Sequence, residues 1–256
     1  MIVSHKHKYL FVELPHTGST AISKELRENY DGVPILRKHA YYHEFLRVAK
    51  SEEKTYFVFA GMRNPLDEAI SVYFKYKNNH KQNYTNPERL RKNGGHVTDD
   101  DLRKFNFIKN NNADFPTFFA RFYRLPYNNL SILSHKRFDF IIRFENLQDD
   151  FAQALTLIGI TQKRPLPMIN RTAGKKKEFS AYYTPEIYEQ ARRVFGPFMR
   201  RWDYAFPPEW GDRPVPRSSQ MQYYIIGTMR KLYWKHLKWG SSLSAQLYKR
   251  LASSGF

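Results

Sequence analysis

A short polar segment, PHTGST, joins an apolar stretch to a helical pattern near the start of the chain. It contains Gly18, which lets backbone approach a ligand closely, and the hydroxyl donors Thr17, Ser19 and Thr20. A loop that enters a helix N-terminus presents unpaired N–H groups and the positive end of the helix dipole. These groups bind tetrahedral anions such as phosphate or sulfate. The same hydroxyls also suit an ordinary helix cap, so both interpretations stay open for this loop alone.

A second polar group, RNPLDEAIS, follows the next apolar stretch. Arg63 offers a guanidinium fork that suits a phosphate, and Ser71 adds a hydroxyl about two helical turns later. Because ligands of parallel sheets gather at the carboxyl ends of the strands, Arg63 is expected at the ligand edge. Two anion sites there suggest a nucleotide with phosphates at its 5′ and 3′ positions. The first loop lacks the glycine-and-lysine pattern of Walker nucleotide-binding proteins.

The elements that must position these residues follow the order of a parallel α/β sheet. Apolar stretches at Tyr9–Leu14, Tyr56–Ala60 and Phe138–Phe144 predict buried strands. The predicted helices cover Thr20–Tyr30, Lys38–Lys50, Pro65–Lys77, Phe115–Leu125, Asp150–Ile158 and Thr184–Phe195. We therefore expect a three-layer α/β fold with a central parallel sheet flanked by helices, plus a C-terminal helical extension.

Composition divides the chain into three parts. Asn78–Asn112 is rich in Asn, Lys and Arg, which predicts a polar insertion or lid-like loop within an α/β domain over residues 1–206. Residues 207–219 are proline-rich and predict a linker. In residues 220–256, apolar and aromatic residues recur at near-helical spacing between Lys and Arg, which predicts a basic amphipathic helix. Such a helix can lie on an anionic membrane, or pack on the domain or on a second subunit of a homo-oligomer.

The net charge of +18 over 256 residues fits three classes of partner: nucleic acid, an anionic membrane surface, and an anionic small molecule or polysaccharide. The chain has no cysteine, which excludes disulfides, thiol nucleophiles and cysteine-ligated zinc. The first residues lack the apolar core of a signal peptide, and no run approaches the roughly 18 apolar residues of a membrane span. We therefore expect a cytoplasmic protein, to which the tail adds a peripheral membrane contact if it binds lipid.

Taken together, FVELPHTGST and RNPLDEAISVY resemble the sulfotransferases that use 3′-phosphoadenosine 5′-phosphosulfate (PAPS), especially carbohydrate sulfotransferases and their bacterial relatives. That family has a loop of the type PKTGST after its first strand and a later element of the type RNPxDRxxSxY. The likeness continues through KHAYYHEF and covers about residues 8–206. It implies a P-loop-like fold and transfer of a sulfuryl group from PAPS to a hydroxyl or amine, without a metal ion. The product is adenosine 3′,5′-bisphosphate, and the expected acceptor is an anionic glycan or glycolipid.

The resemblance also implies roles for individual residues. It assigns the 5′-phosphosulfate to Pro15, His16, Thr17, Gly18, Ser19 and Thr20, and the 3′-phosphate to Arg63 and Ser71. Arg171 and Lys175 lie in a late basic segment and are candidates for the 3′-phosphate or the adenine side. His39 is the candidate general base, with His43 and Glu44 as substitutes. His39 and His43 are four residues apart and would share a helix face, although exposed helix residues without a catalytic role fit these positions too.

His16 stands where the family has the lysine that touches the leaving oxygen. Histidine titrates near pH 6.5, whereas lysine stays charged at neutral pH. Nearby phosphates would favour the imidazolium, so we expect that His16 supports a working enzyme with a pH-sensitive step. The alternatives are a nucleotide-binding relative with impaired catalysis, a P-loop nucleotide kinase, and a nucleic-acid-binding protein.

Overall fold

The computed structural model describes residues 1–91, 97–129, 138–167, 174–175 and 178–233. The chain divides into two compact units. The first unit contains Met1–Arg63, Asn128–Ile169 and Met221–Phe256, and the second contains Asn64–Tyr127 and Asn170–Gln220. The domain boundaries expected near residues 206 and 219 stay predictions.

A mixed sheet forms the centre of the first unit. Its strands in the described residues are β1 (Ile2–Ser4), β2 (Tyr9–Val12), β3 (Val33–Pro34), β4 (Phe57–Met62) and β5 (Phe140–Arg143). Their order across the sheet is β3-β1-β2-β4-β5. The strands β2, β4 and β5 are parallel, which confirms the predicted α/β class. The strand β1 pairs antiparallel with both β2 and β3. The sheet is therefore mixed, whereas the sequence predicted a parallel sheet.

The helices in the described residues are α1 (Ser19–Asn29), α2 (Tyr42–Val48), α3 (Pro65–Lys77), α4 (Pro87–Arg91), α5 (Asp99–Asn111), α6 (Phe115–Phe122), α7 (Leu147–Leu157), α8 (Pro185–Arg201) and α9 (Arg217–Leu232). Six of them (α1, α2, α3, α6, α7 and α8) match predicted ones, α3 with the same ends and the others with shifted ends. The helix α9 covers part of the predicted tail, whereas α4 and α5 were not predicted. The core of the first unit joins the apolar face of α1, with Ile22 and Leu26, to Phe11, Phe59 and Phe151. The spacing of four residues between Ile22 and Leu26 places both on the sheet side of the helix.

Aromatic side chains dominate the core of the second unit. Phe115, Phe119 and Phe195 pack together between α3, α6 and α8. Trp210 belongs to the same cluster, since its ring stacks on Tyr188 with centroids 4.3 Å apart. Part of the segment predicted as a linker is therefore buried in this core.

The expectation of a lid-like loop over Asn78–Asn112 is wrong, because much of the described part of this segment is helical, whereas the expected polar insertion stays a prediction. The helix α5 begins with a capping box, in which the Thr98 hydroxyl accepts a hydrogen bond from the Asp101 amide. Phe105 and Ile108 lie three residues apart on its inner face and are buried in the second core. A few apolar residues at helical spacing therefore fixed a helix inside a segment of mainly polar composition.

The C-terminal helix α9 covers the start of the predicted tail. The residues after Tyr233 lie outside the described part, and so does the rest of the predicted amphipathic segment. Among the helices that the structure describes, none combines the length and the apolar character needed to cross a membrane.

Candidate active site

The loop between β2 and α1 makes a tight turn. His16 and Gly18 both adopt left-handed backbone conformations, with φ of 62° and 76°. Glycine accepts this conformation freely, whereas a residue with a Cβ gives up roughly 1 kcal/mol. The Thr17 side chain is buried and its hydroxyl donates to the Leu14 carbonyl at 2.9 Å. This hydrogen bond therefore ties Thr17 to the end of the segment that leads into the loop.

The helix α1 begins directly after the loop, with Gly18 at its N-cap. No side chain in the described residues caps this end with a hydrogen bond, and the first turn carries no acidic residue. The first amides of an α-helix have no partner within the helix and carry the positive end of its dipole. Of the predicted ligands here, Thr20 and His16 are exposed, Pro15 and Gly18 are half-buried, and Ser19 is buried.

Close backbone packing holds the loop against the sheet. A Cβ atom added to Gly61, in β4, would lie 2.7 Å from the Thr17 hydroxyl oxygen and 2.8 Å from its carbonyl oxygen. A Cβ added to Gly18 would lie 3.3 Å from side-chain carbons of Phe144 and Leu147. Only glycine allows the approach at residue 61. Gly61 was not among the predicted site residues, although it lies two residues before Arg63.

Arg63 brings a positive charge to this loop. Its side chain is buried, and its Nη1 atom donates to the His16 carbonyl at 3.2 Å. The guanidinium carbon lies 4.1 Å from the centre of the Phe144 ring, in cation–π contact. The structure thus places Arg63 against the backbone of the proposed phosphosulfate loop. Its predicted role at the 3′-phosphate stays a prediction.

His39 also contacts the chain that leads into the loop. Its Nδ1 atom lies 2.7 Å from the Glu13 carbonyl oxygen. A carbonyl only accepts hydrogen bonds, so Nδ1 carries the proton and the neutral ring keeps its lone pair on Nε2. Burial lowers the pKa of His39 below its ordinary value, partly offset by the hydrogen bond to Glu13. The ring is therefore neutral near pH 7 and is suited to accept a proton.

The predicted pairing of His39 with His43 on one helix face is wrong. His39 has a φ of 60°, a conformation that no α-helix contains, and α2 begins only at Tyr42. The Glu44 carboxylate accepts the Tyr41 amide at 2.9 Å and the Arg37 guanidinium at 2.8 Å. It therefore caps α2. The reserve base role proposed for His43 and Glu44 stays a prediction.

Lys38 was not among the predicted site residues. Its Nζ atom donates to the Thr20 hydroxyl oxygen at 3.0 Å, so an ammonium group lies at the first turn of α1. In the resembled family pattern a lysine stands in the loop at the position of His16. Here Lys38 brings a lysine to the same loop from another part of the chain. The only signal in the sequence is that Lys38 directly precedes His39.

In the second unit, two predicted ligands of the 3′-phosphate lie together. Lys175 Nζ lies 3.3 Å from the hydroxyl oxygen of Ser71 and forms a close ion pair with Asp67. Ser71 is buried and its hydroxyl donates to the Asp67 carbonyl at 3.2 Å. Their roles stay predictions, and Arg171 lies outside the described residues. Within the described residues no cluster of three or more His, Asp or Glu forms a metal site, and the expected absence of a metal stays a prediction.

Comparison with known proteins identifies the chain at the level of a family. No curated protein and no solved structure matches it significantly. A family model described as "Sulfotransferase family" matches residues 1–199, a region that contains the loop, Lys38, His39 and Arg63. Since this match extends over most of the 256 residues, the chain belongs to the sulfotransferase family.

Proposed function

We propose that this protein transfers a sulfuryl group from PAPS to a hydroxyl or amine of a carbohydrate or glycolipid acceptor. Membership of the family supports sulfotransfer in general. One observation carries the proposal further: adjacent residues reach both ends of the anion loop. His39 contacts Glu13 just before the loop, and Lys38 contacts Thr20, the last residue of the loop. A base and a permanent cation are thus held at the same short loop.

His39 takes the part of the general base. Its Nε2 lone pair accepts the proton of the acceptor hydroxyl as the new oxygen–sulfur bond forms. The bond between sulfur and the bridging oxygen breaks, and its electron pair stays on the departing phosphate group. A base whose pKa lies near or just below the working pH combines the correct protonation state with sufficient driving force.

Lys38 and the first amides of α1 stabilise the negative charge of the phosphosulfate, and Arg63, which the resemblance assigns to the 3′-phosphate, adds its charge because it contacts the same loop. Fixed donors and positive charges act most strongly on the charge that grows on the leaving oxygen in the transition state. We assign to Lys38 the role of the family lysine that contacts the leaving oxygen and that His16 replaces. His16 is a second hydrogen-bond donor to that oxygen. The assignment of Ser71 and Lys175 to the 3′-phosphate rests on the sequence resemblance and on the contact between these two side chains.

The basic surface supports an anionic acceptor. The chain as a whole carries a net charge of +18, and Arg89 is one of its exposed cations. A net charge of one sign raises the local concentration and the association rate of a substrate with the opposite sign. Sulfated or uronic-acid glycans and acidic glycolipids are therefore the acceptors to test first.

The test of the donor is calorimetric titration with adenosine 3′,5′-bisphosphate, ATP and random-sequence DNA. We expect saturable binding of the bisphosphate with weaker binding of ATP, and DNA binding that disappears as salt rises. Tighter binding of ATP would contradict the proposal. The acceptor is then identified with sulfur-labelled PAPS and a panel of glycans and glycolipids. Bisphosphate binding without label transfer to any member would favour a nucleotide-binding protein with impaired catalysis.

A further inference from the structure

The helix α9 presents an apolar face to the solvent. Met221, Ile225, Met229 and Leu232 recur at spacings of three and four residues, so they lie on one side of the helix. Each of these side chains is more than half exposed, from 52% for Ile225 to 61% for Met221. Tyr224 borders the same face and is 54% exposed. A contiguous apolar helix face in water indicates an interaction site.

The opposite face of α9 is the one that packs on the protein. Tyr223 is 2% exposed and Gly227 is buried as well. Burial raises the pKa of Tyr41, and the positive charge of Arg230 in the same unit acts against that rise. The helix is therefore already docked through Tyr223 and Gly227, and its apolar face is left on the outside.

The charged residues of α9 itself, Arg217, Arg230 and Lys231, all have one sign. After Asp212 the sequence contains no Asp or Glu, whereas Lys and Arg recur as far as Arg250. Lys231 lies seven residues after Tyr224, so it belongs to the edge of the apolar face.

We propose that α9 docks on the surface of an anionic lipid membrane, with its apolar face in the interfacial layer. A helix that lies in the interface combines buried apolar area with electrostatic attraction to anionic lipids. The +18 net charge of the chain adds to that attraction. This inference goes beyond the sulfotransfer proposal and does not depend on it.

Two other partners could cover this face: a second copy of the chain and a nucleic acid. A second copy placed on this face would bring two chains of +18 and two basic helices together, at a repulsive cost that a membrane of opposite sign does not impose. The apolar side chains are too many for a purely electrostatic contact with nucleic acid. An anionic lipid surface matches both the apolar side chains and the positive charge of α9.

The experiment is co-sedimentation of the full chain with vesicles. One set contains phosphatidylcholine alone, and in the other about a third of the lipid is phosphatidylglycerol. The test variant is Ile225→Ser with Met229→Ser, which removes apolar area and keeps the charge. The matched control is Leu157→Ser, because Leu157 is 53% exposed at the end of another helix. Circular dichroism confirms that each variant retains the helical content of the wild type.

We expect the wild type and the Leu157 variant to bind the anionic vesicles, to bind neutral ones far less, and to detach as salt rises. The double serine variant should partition at least about tenfold less, because two apolar side chains no longer enter the lipid. Equal binding of the double variant and the wild type would overturn the proposal, since attraction would then come from net charge alone. A concentration-dependent dimer in sedimentation velocity that the double variant abolishes would also overturn it, in favour of a second copy.

Discussion

The Nδ1 atom of His39 lies 2.7 Å from the backbone carbonyl oxygen of Glu13, two residues before the anion loop begins at Pro15. This contact fixes the tautomer of the ring and ties it to the strand end that leads into the loop. His39 also holds a left-handed backbone conformation, with φ of 60°. A non-glycine residue in this region carries backbone strain, which persists only where surrounding contacts hold the conformation.

The first prediction concerns His39→Asn. The asparagine amide can still donate to the Glu13 carbonyl, but it offers no basic nitrogen to the acceptor. We expect kcat to fall by about 10²- to 10⁴-fold, the usual contribution of a general base, while the Kd for adenosine 3′,5′-bisphosphate stays within about twofold. Initial rates with labelled PAPS and calorimetry measure the two quantities. His43→Asn is the control, and a larger loss in that variant would transfer the role of base to His43.

The second prediction is the pH dependence of kcat/KM. Burial lowers the pKa of His39, so the ring stays deprotonated to a lower pH than free histidine. The base form is therefore present above the depressed pKa and is lost as pH falls through it. We expect the acid limb of the profile below pH 6.5 and its disappearance in the residual activity of His39→Asn. An acid limb that persists unchanged in this variant would show that another group titrates.

The sequence predicted the elements that local chemistry specifies. The helix α3 covers Pro65–Lys77 as predicted, because Asn64 caps it and Pro65 suits the first helical position. The strand–loop–helix unit was also predicted, with β2 two residues shorter than expected. These features depend on neighbouring residues in the chain and so are readable from a single sequence.

The missed features depend on contacts between distant residues. The residues near Lys38 in the sequence do not indicate that its ammonium group contacts Thr20. Likewise, the residues near Gly61 do not indicate that Thr17 packs where a side chain of residue 61 would lie. The late start of α2 has a similar origin. His39 adopts its non-helical conformation where its ring contacts Glu13, a residue 26 positions earlier.

The third prediction tests whether Lys38 does the work of the absent loop lysine. Lys38→Met keeps the length of the side chain and removes the charge, so we expect kcat to fall by roughly 10²-fold. Lys24→Met is the matched control, since Lys24 is exposed on α1 and faces Glu28 at 3.8 Å. Adding His16→Lys to the Lys38 variant should restore part of the lost rate. Undiminished turnover of Lys38→Met, or an equal loss in the Lys24 variant, would refute the assignment.

The fourth prediction is that Gly61→Ala disrupts the loop. The new methyl group would meet the Thr17 carbonyl and hydroxyl oxygens below 3 Å, so the loop must move away from β4. We expect bisphosphate binding to weaken by about tenfold or more, and the free energy of unfolding to fall by about 1–3 kcal/mol. Gly159→Ala is the control, because no atom lies within 4 Å of its added methyl group. The Gly159→Ala variant adds only backbone strain. It should therefore lower the free energy of unfolding without weakening the binding of the bisphosphate.

The fifth prediction is that Arg63→Lys is not a conservative change. The buried guanidinium packs on the Phe144 ring and donates to the His16 carbonyl, and the flat fork that does both is absent in lysine. We expect affinity for the bisphosphate to fall roughly 10- to 100-fold, equivalent to about 1–3 kcal/mol for a half-buried carbonyl that loses its charged donor. Arg213→Lys is the control, because its ion pair with Glu189 is exposed and contributes little. If Arg63→Lys binds the bisphosphate as tightly as the wild type, charge alone suffices at this position. The fixed contact between Arg63 and the loop would then have no part in holding the donor.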